Sequence, residues 1–278
     1  MRHDSPVRND KSERTPDGER TSRVPPGRPS SGVSSRRDFL RTTAVCGSVA
    51  LLGAGPVTAQ DGGDQRREFT VRIENVSSSD TLQVPDAESQ PVPLSPGVYA
   101  VYVGSNPLFT PGQQTGDSGL EQLAEDGDPA RLEETVDGRQ NVESDVFSVP
   151  EGSDRVAPLE PDQSYAFDFD ARPGQRMSFA TMFIPSNDLF LAPDGLGVNL
   201  FPGGDPVSGD LTPQVLLWDA GTEQNEQPGT GPNQAQRQSA PDTGPDENAP
   251  VRPITRVDDG FQYPAVSDVV RVTVRSGR

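Results

Sequence analysis

Tyr165-Ala166-Phe167-Asp168-Phe169-Asp170, then Pro173-Gly174, then Arg176-Met177-Ser178-Phe179-Ala180-Thr181-Met182-Phe183-Ile184 is the stretch that decides the fold class. Aromatic rings at every second position put Tyr165, Phe167 and Phe169 on one face of a strand, with Ala166, Asp168 and Asp170 on the other. The acidic face reads either as solvated charge or as an extra acidic cluster beside an ion. Pro173-Gly174 marks a turn, and residues 176–184 read as the next antiparallel strand.

Working outward, Phe69, Val71 and Ile73 alternate with Thr70, Arg72 and Glu74, the pattern of a half-buried strand. Val98-Tyr99-Ala100-Val101-Tyr102-Val103 is a continuous apolar run of strand length between Pro96-Gly97 and Gly104. Residues 197–201 and 215–218 give two shorter strands. Residues 268–275 give the last one, with Val270, Val272 and Val274 inward. Between strands, residues 117–136 turn weakly helical. Leu120, Leu123 and Ala124 share a face there, Asp128-Pro129 opens a helix, and Ser118 reads as a cap. Gly116-Asp117-Ser118-Gly119 has the look of a serine-protease loop, but no triad can follow without histidine downstream. Short strands among 28 Gly and 29 Pro predict an all-β, antiparallel sandwich with a short helical insertion and long loops.

The front of the chain reads differently. Residues 1–34 are rich in Pro, Ser, Arg and Asp, and too poor in apolar side chains to offset the entropy of ordering, so they are expected to be disordered. Ser35-Arg36-Arg37-Asp38-Phe39-Leu40-Arg41 matches a twin-arginine export signal. A weak apolar stretch follows, then Val57-Thr58-Ala59 as a cleavage site, so residues 35–59 form the expected signal peptide. The stretch is short of the about 20 apolar residues that span a bilayer. Residues 60–67 read as a linker and residues 68–278 as one domain. The expected location is extracellular or at the cell surface, as a monomer. Asn75-Val76-Ser77 reads as a glycosylation sequon or as a plain turn.

Composition excludes much chemistry. Beyond residue 59 the chain has 14 Arg against 36 Asp and Glu, a net charge near −22, with no Lys, Cys or His. A thiol nucleophile, disulfide, Schiff-base lysine, imidazole base and histidine metal ligand are all excluded there. So is nucleic acid as a direct partner, for want of a basic patch. The acid excess reads as a surface adapted to high salt or as a cation-binding matrix. About one residue in six is acidic, so only placement can single out a site.

Two acidic motifs border apolar strands: Met182-Phe183-Ile184-Pro185-Ser186-Asn187-Asp188-Leu189-Phe190 and Val215-Leu216-Leu217-Trp218-Asp219-Ala220-Gly221-Thr222-Glu223. Carboxylates among large apolar side chains are costly to desolvate unless their charge is compensated, and calcium accepts several oxygens in flexible geometry. Fully extended, Asp219 and Glu223 would lie roughly 13 Å apart at about 3.3 Å per residue. Both reach one ion only if the chain turns at Gly221.

These motifs resemble the Pro-Ser-x-Asp and Asp-Ala-Gly-Thr-acid motifs of the spondin N-terminal domain family, with Gly231-Pro232-Asn233-Gln234 where that family has a Pro-Asn loop. Val269-Val270-Arg271-Val272-Thr273-Val274 is similar to its closing strand. The resemblance spans roughly residues 68–278. It implies a C2-like β-sandwich with calcium on Asp188, Asp219 and Glu223. Two residues depart from the pattern: Asn187 replaces a second Pro, and Glu223 replaces an Asp.

Three functions follow. The first is an exported, non-enzymatic module that binds calcium and mediates adhesion to an extracellular or cell-surface protein or glycan. The second is a secreted carboxylate-based hydrolase of polysaccharides, against which stands a single Trp for stacking sugars. The third is an adhesion module whose metal serves stability alone.

Overall fold

The computed structural model describes residues 66–277. The expected extension, the Arg36-Arg37 signal, its cleavage site and most of the linker lie outside the described residues.

In chain order the elements are β1 (Arg67–Asn75), β2 (Leu94–Tyr102), α1 (Leu120–Asp126), α2 (Ala130–Val136), β3 (Val142–Phe147), β4 (Ser164–Ala171), β5 (Arg176–Phe183) and β6 (Leu189–Pro193). The two-residue strands β7 (Val198–Asn199) and β8 (Gly209–Asp210) follow, then β9 (Val215–Asp219), β10 (Arg252–Pro253), α3 (Val266–Val269) and β11 (Val270–Ser276). The strands form two antiparallel sheets, as the strand count and turn spacing predict. One has the order β4-β1-β11-β8, and the other β10-β9-β6-β5-β2-β3 with β7 also on β5.

Alternation places the smaller sheet. Phe69, Val71 and Ile73 of β1 stand opposite Phe169, Phe167 and Tyr165 of β4, all buried, while Ala166 and Asp168 face solvent. Asp168 accepts a hydrogen bond from Thr70 at 2.6 Å and Asp170 pairs with Arg66 at 3.0 Å. The acidic face of β4 is therefore solvated charge and no part of an ion site. Tyr99 of β2 stacks on Phe167 at 4.3 Å between ring centroids, and Phe147 on Phe167 at 5.2 Å, which ties the two sheets together.

The expected pairing of residues 165–170 with 176–184 does not form. β4 belongs to the small sheet and β5 to the large one, so the turn at Pro173-Gly174 crosses between layers. The side-chain pattern explains why. β4 is apolar on one face only, whereas β5 is buried on both from Met177 to Phe183 and needs cover on each side.

That cover is a third layer, which the reading of residues 117–136 as a mere insertion missed. α1 and α2 pack on the outer face of the large sheet. Leu120, Leu123, Ala124, Leu132 and Val136 bury against Val98, Ala100, Tyr102, Ala180, Phe190 and Trp218, while Tyr99, Val101 and Phe179 face the sandwich interior. A strand covered on both faces reads as an unbroken apolar run, which is what residues 98–102 show. Val103, beyond the end of β2, is exposed. Ser118 does accept the Leu120 N–H at 3.2 Å, and Asp128 accepts that of Ala130 at 3.0 Å. Trp218 packs edge-on to Phe109 at 4.9 Å in this second core. Residues 268 and 269 finish the short helix α3, so the closing strand starts at Val270.

The sequon also resolves. Asn75 has no exposed surface. Its amide donates to the carbonyls of Val92 at 2.9 Å and Leu159 at 2.8 Å, and its Oδ1 accepts from Ser77 N and Oγ. In the folded chain this side chain is a structural tie, closed to a glycan. Asn75→Ala strands two buried carbonyls and is expected to cost roughly 2–4 kcal/mol, measured by urea unfolding.

Candidate metal centre

Antiparallel pairing sets the end of one strand beside the start of the next. β9 ends at Asp219, which stands opposite Leu189, the first residue of β6, and on its other side opposite Arg252 of β10. The Ala220 N–H donates to the Asp188 carbonyl at 3.1 Å, so Asp188 and Asp219 meet at one end of the large sheet. Both are fully buried.

Gly221 then turns the chain with φ 72°, where an added Cβ would lie 2.6 Å from the Ala249 carbonyl oxygen. The sharp turn inferred from the spacing is present, and it aims two N–H groups at the site. Those of Thr222 and Glu223 donate to Asp188 Oδ2 at 3.2 and 3.3 Å.

The third carboxylate is not the expected one. Glu223 is buried but is not among the carboxylates that converge there. Its Oε2 accepts from Asn187 Nδ2 at 3.2 Å and its Oε1 from the Gly244 N–H at 2.6 Å. Asn187 also donates to the Gln224 carbonyl at 2.8 Å and accepts from Glu226 N at 3.2 Å. The two departures from the family pattern, Asn187 and Glu223, thus bond to each other.

Glu247 takes the place. One carboxylate oxygen from each of Asp188, Asp219 and Glu247 lies within 4.8 Å of the other two. Each of these acids has one oxygen held by the protein and one left bare. Asp188 Oδ2 takes the turn N–H groups. Asp219 Oδ2 accepts from Asn225 Nδ2 at 2.8 Å and from Arg252 at 3.3 Å, and Glu247 Oε1 pairs with Arg252 at 2.5 Å. Asp188 Oδ1, Asp219 Oδ1 and Glu247 Oε2 are buried without any partner, and so is Asn225 Oδ1. Buried bare carboxylate oxygens are rare in native folds, and an ion is one accepted reason for them.

The electrostatics agree. Burial, then the neighbouring Asp219 charge, holds the Asp188 carboxyl well above the usual carboxylate range. Burial pushes Asp219 up to about 6, even though Arg252 opposes the shift. Ionised, three carboxylates and one guanidinium sum to −2, the charge that one divalent cation neutralises. Calcium–oxygen distances of about 2.3–2.6 Å allow ligand oxygens up to about 5 Å apart, which the spacing satisfies. Beside the centre an open depression of about 500 Å³ is lined by Asn225, Glu247, Arg252, Arg256, Asp258 and Phe261.

Nothing in the local sequence marks Glu247. It lies in the stretch of residues 221–250, rich in Gly, Pro, Asn and Gln, where the only signal was that so long an irregular segment tends to carry function. No protein-family model matches the chain, and no curated protein matches it. No helix among the described residues is long and apolar enough to cross a membrane.

Proposed function

We propose that this protein is an exported, non-enzymatic β-sandwich module that binds calcium through Asp188, Asp219 and Glu247. The observation that carries the proposal is the set of three converging carboxylates, each with one buried oxygen that no protein group satisfies. The resemblance of the two motifs to the spondin N-terminal domain family supports the same ion, with Glu247 in place of Glu223.

The ion would fasten residues 221–250 to the end of the large sheet, since its ligands come from β9, from the start of β6 and from that loop. The depression beside it is open and polar, a place for an extracellular protein or glycan to contact the fastened loop. Full burial of Asp188 and Asp219 suits ligands better than hydrolytic acids, which must reach a substrate.

Saturating calcium at about 100 times its dissociation constant stabilises by about 2.7 kcal/mol. For a domain of this size that is a rise of about 5–10 °C in melting temperature over calcium-stripped protein. Equal melting in the two states removes calcium from the reading. Pull-down on cell envelope, with and without chelator, tests the adhesive role separately.

A further inference from the structure

The Gly221 turn has a second acidic face. We propose that Glu121, Glu125 and Asp242, with the Thr222 hydroxyl, form a second divalent-cation site, distinct from the centre at Asp188. Glu121 and Glu125 stand one helical turn apart on α1, on the same side of the helix. Asp242 is brought over them by the long loop, where its backbone takes φ 54°. One carboxylate oxygen from each lies within 4.8 Å of the other two.

Acids gathered at a surface are common in this chain, so placement again decides. Glu125 is only 3 % exposed, and among the described residues no ion pair reaches its carboxylate. Thr222 favours the ionised form of Glu125, yet its own buried Oγ1 makes no hydrogen bond within normal geometry. Both groups border a hollow of about 350 Å³ that also receives Asp117, Asp246 and Asn248. No arginine lines this hollow, whereas Arg252 pairs with two acids of the first centre. Burial pushes the Glu125 carboxyl up to about 8, with the charges of Glu223, Glu121 and Asp242 adding to it. A buried glutamate facing two other acids and a hydroxyl, with no cation among them, is a set of hard oxygen donors suited to calcium.

The two sites sit back to back on one turn. Thr222 gives its N–H to Asp188 on one side and faces Glu125 with its hydroxyl on the other. The second ion would tie the loop to α1, where Gln238 already donates to Asp126 at 2.6 Å.

Calorimetric titration of the whole calcium-stripped domain with calcium chloride is the test. It is run in about 1 M potassium chloride, where screening shortens to about 3 Å and diffuse binding to surface acids is suppressed. The expected result is two ions per chain. Glu125→Gln should leave one, and Asp188→Asn should leave the other. Asp242→Asn, a change in an exposed loop that cannot disturb the core, should weaken the second ion tenfold or more. One ion in the parent that Asp188→Asn abolishes, or two in Glu125→Gln, overturns the second site while the first stands. Loss of an ion in Glu125→Gln but not in Asp188→Asn would remove the first site and leave the second.

Discussion

Asp188→Asn is expected to raise the melting temperature of the calcium-stripped protein and to remove the part of the calcium gain that comes from the Asp188 centre, leaving only what an ion beside Glu125 supplies. Asp188 Oδ2 accepts two backbone N–H groups, and an amide oxygen can do the same. The bare Oδ1 faces the other acids, and an amide NH₂ in its place donates to them where a carboxylate repels them. Replacing a badly compensated buried charge by a neutral group of the same shape stabilises by about 1–4 kcal/mol. At about 2–4 °C per kcal/mol for this size, the stripped variant should melt roughly 2–16 °C above the stripped parent. In saturating calcium the variant's lead shrinks or reverses, because the parent gains an ion at the Asp188 centre and the variant does not. Thermal melts of both proteins in both states give the four numbers needed. A variant that is less stable than the parent when stripped, and gains as much from calcium as the parent does, would show that Asp188 serves packing and not the ion.

Much of this arrangement was legible in the residues. Period-two alternation identified the inward rows of β1, β4 and β11, because those strands are buried on one face and must advertise it. Partners across layers were not legible. Pro173-Gly174 announces a turn but not whether the chain folds back within a sheet or crosses to the other, and the answer depends on which strand needs cover on both faces. The unbroken apolar run at residues 98–102 held that information, since both its faces are buried, but only the helical layer makes it readable. Asp188 and Asp219 could be found because each follows or precedes a strand core, so strand pairing alone brings them together. Glu247 could not, because a loop of irregular backbone delivers it and no periodicity records where such a loop returns. The same blindness applied to Glu223. Its distance along the chain fitted one ion, yet its carboxylate bonds to Asn187 of the other motif and to Gly244 in the long loop, which spacing does not record.

The calcium-stripped protein is expected to gain stability on mild acidification, from about pH 7.5 to about pH 5, while the gap between calcium-loaded and stripped forms narrows over the same window. The sign follows from proton counts. An unfolded aspartate titrates near pH 3.9, whereas burial moves Asp219 to about 6 in the stripped fold and holds Asp188 well above its usual range. Between those values the folded state binds more protons than the unfolded state, so stability falls as pH rises through the window. Two pH units at one such group correspond to roughly 3 kcal/mol, enough to move the stripped melt by several degrees. Groups lowered in the fold, Glu151 beside Ser164 and Arg72 and Asp210 beside Thr212, lose their contribution only as pH falls through values below the usual carboxylate range, outside this window. Relief of repulsion among surface acids also favours low pH, but it acts on loaded and stripped protein alike and cancels in the gap. Calcium requires the ionised carboxylates, so protons displace it, and the gap should be widest near pH 8 and smallest near pH 5. A gap that stays constant across that range would mean that the ion and the protons do not compete for the same oxygens. That would place calcium elsewhere on this acidic surface.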